Sequence, residues 1–376
     1  MSEIKAASES EVLDAVGTAR SARTPLEIVS AGSKRKLGRA TLASETVLDV
    51  SRMRDIVSYE PAELVLTVRA GTPISEIEAV LSERGQRLGF DPPDWGPLLG
   101  AAAGIGTIGG AISAATSGPA RVRFGAVRDH LLGFRAVNGF GEAFKAGGRV
   151  VKNVTGFDIP KLVCGAFGTL CVLTEVTLRV FPKPSRTLTL SLQGASPERA
   201  FALLRQVWAS PLEATGLACT ANSVFIRLEG EKEPLAEKVA MLRTLCGELV
   251  EVDGGESIFR AIADGEMFRD SQQDLWRIAL PPAQTANVIA QSGAQLWLGD
   301  CAGGILWLAS DTHAKLHETV RAAGGHSLLV RATDATRADA EVFEREDPLR
   351  AQLTRAVKAA FDPLGLFNPG RMWDGV

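Results

Sequence analysis

Residues 94–121 read DWGPLLGAAAGIGTIGGAISAATSGPAR, with no charged side chain between Asp94 and Arg121. By length alone such a run could cross a bilayer. It is interrupted by Gly96, Gly100, Gly104, Gly106, Gly109, Gly110 and Gly118 and by Pro97 and Pro119. Each interior glycine costs a helix about 1 kcal/mol against alanine, and each proline about 3. The run therefore reads as buried loop backbone that another molecule can approach closely. Gly104, Gly106 and Gly109 also spell GxGxxG, with Asp129 at a distance suited to a ribose contact. That fingerprint belongs between a β-branched strand and a helix. Here GPLLGAAA precedes it and SAATSGPARVRFG follows, so a Rossmann turn is set aside.

Outward from this loop, helix and strand signals alternate. On the N-terminal side, ESEVLDAVGTARS places Val12, Ala15, Val16 and Ala19 on one helical face, PLEIVSAG reads as a strand entering a loop, and ELVLTVRAG alternates as a strand. Thr72 and Pro73 open a helix as N-cap and first position, with Ile74, Ile77 and Leu81 inward. On the C-terminal side, LLGFRAVNGFGEAFKAGG predicts two strands joined at Asn138-Gly139, and TLCVLTEVTLRVF a long strand halted by Pro182-Lys183-Pro184. That breaker marks a boundary. Beyond it RTLTLSLQG, SPERAFALLRQVW, SVFIRLEG and PLAEKVAMLRTLCG begin a strand and helix series that predicts an α+β domain, its helices on one face of an antiparallel sheet. The helix DPLRAQLTRAVKAAF and the turn-rich DPLGLFNPGRM close the chain.

Composition narrows the function. The 376 residues carry a net charge of −3, without the basic surplus that nucleic acid would demand. Cys164, Cys171, Cys219, Cys246 and Cys301 are scattered and never form CxxC. That spacing argues against disulfides, a zinc site or an iron–sulfur cluster and for a reduced cytoplasmic protein. The polar, acidic start MSEIKAASESE lacks a secretory or transit pattern. His313 and His317 are four apart on a helix, but no third ligand suggests itself. His130 follows Arg128-Asp129, and a lone histidine there reads as a surface hydrogen-bonding residue.

The stretch SAGSKRKLG, residues 30–38, follows a strand. Its small residues let backbone amides converge on a phosphate, and Lys34, Arg35 and Lys36 add positive charge. It is not a Walker A loop, since no Gly-Lys-Ser/Thr follows at the right spacing. Alone, it reads more readily as a solvated basic surface turn.

Taken in order, SAGSKRKLG, TIGGAISAATSGPARVRFGAVRDHLLG, GGRVVKNVTGFDIPKLVCGAFGTLCVLTEVTLRVFP and the terminal FDPLGLFNPGRM resemble the FAD-binding domain of the vanillyl-alcohol oxidase and p-cresol methylhydroxylase superfamily. Within it they are similar to the shorter flavin subunit of bacterial glycolate oxidases, and KNVTGFD points to that branch. The resemblance implies a two-lobed FAD domain at residues 1–183, with lobes of about 1–52 and 53–183, an α+β antiparallel cap domain at 184–345, and a C-terminal segment, 346–376, whose helix returns to the FAD domain. It implies that Ala31, Gly32, Ser33, Lys34 and Arg35 form the first pyrophosphate loop. Thr107, Ile108, Gly109 and Gly110 would line the cofactor, with Ser117 and Gly118 just beyond. Gly168, Thr169 and Val172 would run past the FAD, and Asn368 would approach the flavin from the C-terminal side.

The FAD is expected to be non-covalent, because neither glycine loop holds a histidine or cysteine to tether it. Two departures from the family stand out. The first loop is poorer in glycine than usual, and Cys171 stands where the family has glycine. The implied activity is oxidation of a 2-hydroxyacid, glycolate to glyoxylate, in a complex with a larger flavin subunit and an iron–sulfur subunit. Membrane association would come only through those partners. Flavin oxidation of this kind needs a base for the hydroxyl proton and an arginine for the carboxylate. The sequence offers no convincing base, and Arg277 in LWRIALPP is the candidate clamp. A stand-alone dehydrogenase and a non-catalytic, flavin-bound assembly subunit are the alternatives.

Overall fold

The computed structural model describes residues 2–40, 46–148, 158–247 and 249–376. The expected marker KNVTGFD lies outside them except for Asp158. The chain divides into two compact units, one of Met1–Thr116, Ala126–Pro182 and Arg345–Val376, the other of Ser117–Gly125 and Lys183–Glu344. Both are mixed α and β, and antiparallel pairing dominates, as the sequence pattern predicts.

The first unit contains two sheets. In the smaller, Thr46–Asp49 lies between Ser2–Lys5 and Leu26–Val29, and all three strands run parallel. Helix Glu9–Ala22, capped by the Ser8 hydroxyl, turns Val12, Ala15, Val16 and Ala19 inward, the face read from the sequence. The larger sheet is antiparallel, in the order Ile56–Glu60, Val65–Arg69, Cys171–Arg179, Leu131–Asn138, Ala143–Gly147. Val137 and Val172, neighbours on its central strands, pack into the small sheet's core with Leu26, Leu48 and Phe367. Glu9 of the first helix reaches across to Arg135 and Thr174 on the large sheet, 2.6 and 2.8 Å away. The arginine holds the Glu9 carboxyl below its usual range. Helix Ile74–Ser82 starts two residues beyond Thr72. Thr72 does not cap it, because its hydroxyl is bonded to the Asp55 amide and carbonyl instead.

The uncharged run is indeed loop. It forms a single 3-10 turn, Pro97–Leu99, and a short helix, Ile108–Ser113. No strand leads into Gly104, and Asp129 accepts from the Ala126 amide as a helix cap, which removes the Rossmann geometry. Among the described residues no helix is long and apolar enough to cross a membrane.

The second unit is built on an eight-stranded antiparallel sheet from Arg186–Gln193 to His326–Arg331. Helices Pro197–Trp208, Lys232–Cys246, Thr285–Ser292 and His313–Ala322 supply its core with Phe201, Leu235, Val288 and Leu316, against Ile226, Trp276, Leu306 and Leu329 of the sheet. One-sided covering is not complete, however. Helix Gly255–Asp264, absent from the sequence reading, lies on the opposite face, where Gly255 sits against Thr189. Thr189 alternates with the core residue Leu190, so a helix touching it must be on the far side.

Both helical histidines are structural. His313 bonds Asp274 at 2.6 Å, and His317 bonds Ser327 and the Glu341 carbonyl. No metal-holding cluster occurs among the described residues. His130 is buried between the rings of Phe90 and Phe181 instead of lying at the surface.

Candidate functional site

Strand Leu26–Val29 runs out into Ser30 and the first glycine loop. Gly32 takes a φ of +75°, and the Arg35 and Leu37 amides close turns onto the Gly32 and Lys34 carbonyls. Buried Leu37 anchors the loop from below. From behind, the Arg371 guanidinium donates to the carbonyls of Lys34 and Arg35 at 3.3 and 2.5 Å. This brace was missed in the sequence. An arginine in a terminal turn looks like any surface cation, and only the fold brings it back to residues 34 and 35.

The loop's cations have different tasks. Arg35 forms a two-pronged ion pair with Glu27, one prong at 2.7 Å, and so stiffens the strand exit. Lys34 turns inward. Among the described residues its ammonium has one polar partner, the Ser33 hydroxyl at 3.4 Å, and it lies close to where side chains at Gly106 and Gly110 would begin. Burial pushes this ammonium down to about 8, with Asp94 opposing the shift. A second polar group nearby is incomplete too. The Ser30 hydroxyl is enclosed and has no hydrogen-bond partner among the described residues.

The second loop contributes differently. The Ile108 amide donates to the Thr72 carbonyl and the Gly109 amide to the Ala70 carbonyl, at 3.1 and 2.8 Å. A Cβ on Gly109 would stand 2.7 Å from that Ala70 oxygen, so its glycine serves close packing. Ile108 is fully buried in the core. Thr107 caps the short helix through the Gly110 amide. Thr107 and Gly110 are the members of this quartet that reach the cleft wall.

The third wall comes from Phe167 and Asn368. Asn368 accepts from the Ile28 amide and donates to the Phe167 carbonyl, both at 2.8 Å. It thereby ties the first strand to the turn before the long strand. Gly168, at φ +70°, lies so close that an added Cβ would be 2.8 Å from the Asn368 amide nitrogen. Thr169 and Val172 are buried behind this wall. Below it lies another arrangement the sequence did not disclose. Lys358 is buried and donates to Asp362, the Thr169 carbonyl and the Phe367 carbonyl at 2.7, 2.6 and 2.9 Å. Asp362 in turn accepts from the amides of Leu366 and Phe367. This pair fixes the turn that carries Asn368 and Arg371.

The three walls enclose a narrow cleft of about 90 Å³ lined by Ser30 to Arg35, Thr107, Gly110, Asn368 and Arg371, among others. It adjoins a wider cavity of about 640 Å³, with Ala31 and Thr107 common to both. The wider one is within the size range of cofactor pockets. Of the expected site residues, the fold thus brings Ala31, Gly32, Ser33, Lys34, Arg35, Thr107, Gly110 and Asn368 to one cleft. Gly168, Thr169, Val172, Ile108 and Gly109 stand behind its walls. Ser117 and Gly118 belong to the second unit's segment. Cys171, the departure from glycine, is buried in the core with its thiol pushed up to about 12.

Such a cleft suits an extended anionic molecule with a flat apolar part. Among the described residues it offers an ammonium with no carboxylate bonded to it, a hydroxyl without a hydrogen-bond partner and walls with little side-chain bulk. Comparison with known proteins agrees. Residues 3–147 match the family described as FAD binding domain. The glycolate oxidase subunit GlcE of Escherichia coli is 36% identical, over 96% of this chain and 96% of its own length. The glycolate oxidase subunit GlcD of Bacillus subtilis is 25% identical, over 92% of this chain and 83% of its own. The fold superposes on p-cresol methylhydroxylase with a TM-score of 0.70 at 14% identity, covering 99% of this chain and 88% of that one.

Proposed function

This chain belongs to the family of FAD-binding glycolate oxidase subunits, and from that premise we propose that it holds a non-covalent FAD in the first unit's cleft. There it serves as one subunit of a complex that oxidises glycolate or a related 2-hydroxyacid. The observation that carries the reading is Lys34, a half-buried ammonium between two glycine loops with no carboxylate of the described residues bonded to it. A diphosphate is the complement this group lacks. Ser30 would donate to the same anion, Arg371 and the Glu27–Arg35 pair hold the loop in shape, and Asn368 keeps the third wall in place. The bound flavin supplies hydride acceptance.

The lining of the two cavities favours a division of labour. Its carboxylate, Glu76, is bonded to Arg54 at 2.6 Å, and among the described lining residues there is no histidine to serve as a base. The larger flavin subunit would then carry substrate oxidation, an iron–sulfur subunit would take the electrons onward, and this chain would relay electrons or stabilise the assembly. Purification tests the cofactor: the protein should be yellow with close to one FAD per chain, and a colourless chain that cannot take up FAD contradicts the proposal. Anaerobic glycolate then tests the role. Flavin bleaching only with the partners present supports the subunit reading. Bleaching of the isolated chain indicates a self-sufficient dehydrogenase, and silence within the complex indicates a structural flavin.

A further inference from the structure

The helix near the end of the chain is turned inside out. Pro348–Phe361 carries Leu349, Leu353, Ala356 and Ala360, spaced four, three and four apart, so they form one apolar stripe along its length. Such a stripe ordinarily faces the core. Here all four residues are exposed, Leu349 at 66% and Leu353 at 58%. The opposite face is the one the first unit holds. Its buried residue is Lys358, seated on Asp362 and on the Thr169 and Phe367 carbonyls. Thr354 donates to Glu346 at 2.6 Å, and the rings of Phe361 and Phe144 meet with centroids 6.0 Å apart. Largely polar fasteners thus hold the helix in place, and its leucines are left over. Leu364, just past the helix, is 45% exposed and extends the apolar surface. Single apolar side chains on a surface are ordinary. A stripe in helical register, on a helix anchored by its other face, marks a docking surface.

The charges beside the stripe indicate what covers it. The helix holds Arg350, Arg355 and Lys358 and no Asp or Glu. Arg350 pairs with the N-cap Asp347 at 3.2 Å while 79% of its side chain stays exposed. Arg355 has no hydrogen bond or ion pair among the described residues. We propose that the stripe docks another protein subunit through an apolar groove rimmed by carboxylates. Leu349 and Leu353 enter the groove, Ala356 and Ala360 let the partner's backbone come close, and Arg350 and Arg355 meet the carboxylates of the rim. A second copy of this stripe does not supply that rim, because it carries the same cations and no acid. A bilayer is a poor match too, since half of the stripe is alanine and interfacial helices depend on large apolar side chains. That the partner is a subunit of the oxidase complex rests on the function proposed above, whereas the stripe and its cations do not.

Co-expression of the whole chain with the larger flavin subunit and the iron–sulfur subunit, followed by light scattering and by affinity measurement at low and high salt, tests this. The unaltered chain should be monomeric alone and should join the partners. Leu349→Ser combined with Leu353→Ser should weaken association by about tenfold or more. Arg350→Glu combined with Arg355→Glu should weaken it comparably and remove much of its salt dependence. Both variants should keep their FAD content and unfolding midpoint, because the altered side chains are exposed. Association as tight in the leucine variant as in the unaltered chain overturns the proposal and leaves the subunit reading intact. Three other results overturn it by assigning the stripe elsewhere. A dimer of the isolated chain that the leucine variant abolishes assigns it to a second copy. Binding to anionic lipid vesicles that the same variant loses assigns it to a membrane, and a lowered unfolding midpoint assigns it to the chain itself. Failure of the unaltered chain to join any partner defeats the subunit reading together with this one.

Discussion

Two lysines of the first unit are taken out of water in opposite ways. Lys358 has three oxygen acceptors within 2.9 Å, one of them the carboxylate of Asp362. Lys34 has a single hydroxyl at 3.4 Å. Burial lowers both ammonium groups from their ordinary range. At Lys358 every donor is answered, so the group is a fastener that closes the terminal turn. At Lys34 no described residue supplies that answer, so the group marks where a ligand belongs. Burial of a charge does not by itself distinguish scaffold from site. The completeness of its partners does.

Substitution should separate the two lysines. Lys358→Met leaves Asp362 buried without its cation, and breaking a buried pair in this way costs about 3–5 kcal/mol. Denaturant unfolding should show that loss, with FAD binding lost as a consequence, and an unchanged midpoint would mean the turn does not depend on the pair. Lys34→Met should do the reverse. The apoprotein should be at least as stable as before, while FAD affinity falls by the value of a charged hydrogen bond, about 1.5–3 kcal/mol, or roughly 10- to 150-fold. Equal FAD affinity in the variant would remove Lys34 from the site.

Acidity sharpens the contrast further. A diphosphate favours the charged ammonium, so its binding raises the Lys34 pKa and takes up a proton. FAD affinity should therefore be full below about 8 and decline as pH rises past it, and Lys34→Met should flatten the profile. Apoprotein stability has the opposite sign. Because the folded-state value is depressed, the unfolded chain binds more protons in this range, and the unaltered apoprotein should gain stability relative to Lys34→Met as pH rises from 8. The smallest effect belongs to Glu27→Gln, which loosens Arg35. That arginine is 44% exposed, and a solvent-screened pair of this kind contributes at most about 1 kcal/mol. FAD affinity there should change less than threefold.

Periodicity made the helices and strands legible. The inward faces of Glu9–Ala22 and Ile74–Ser82 and the alternation of Val65–Arg69 could be read directly, because local spacing determines which side chains meet the core. Composition made the loops legible, since glycine and proline density excluded a membrane helix from residues 94–121. The site was legible only in part. Lys34 and Asn368 could be singled out because their motifs occur in a family order, but their physical tasks differ from what spacing suggests. Ile108 and Gly109 look like phosphate-binding amides, and the fold uses those amides on Thr72 and Ala70. Arg371 reaches the Lys34 and Arg35 carbonyls, and Lys358 the Thr169 carbonyl, across more than 180 residues of sequence, where no local pattern reaches. Helix Gly255–Asp264 escaped because its start, at Gly254-Gly255, reads as a turn, though the missing side chain at Gly255 is what lets the helix settle on Thr189.

The claim that an unanswered ammonium awaits the cofactor's diphosphate can be measured as protons. FAD should be titrated into apoprotein at pH 9 in buffers of different ionisation enthalpy, which yields the number of protons exchanged on binding. With the free group near 8, most of Lys34 is neutral at that pH, so the unaltered chain should take up most of a proton and Lys34→Met almost none. Identical proton counts for the two proteins would contradict the account.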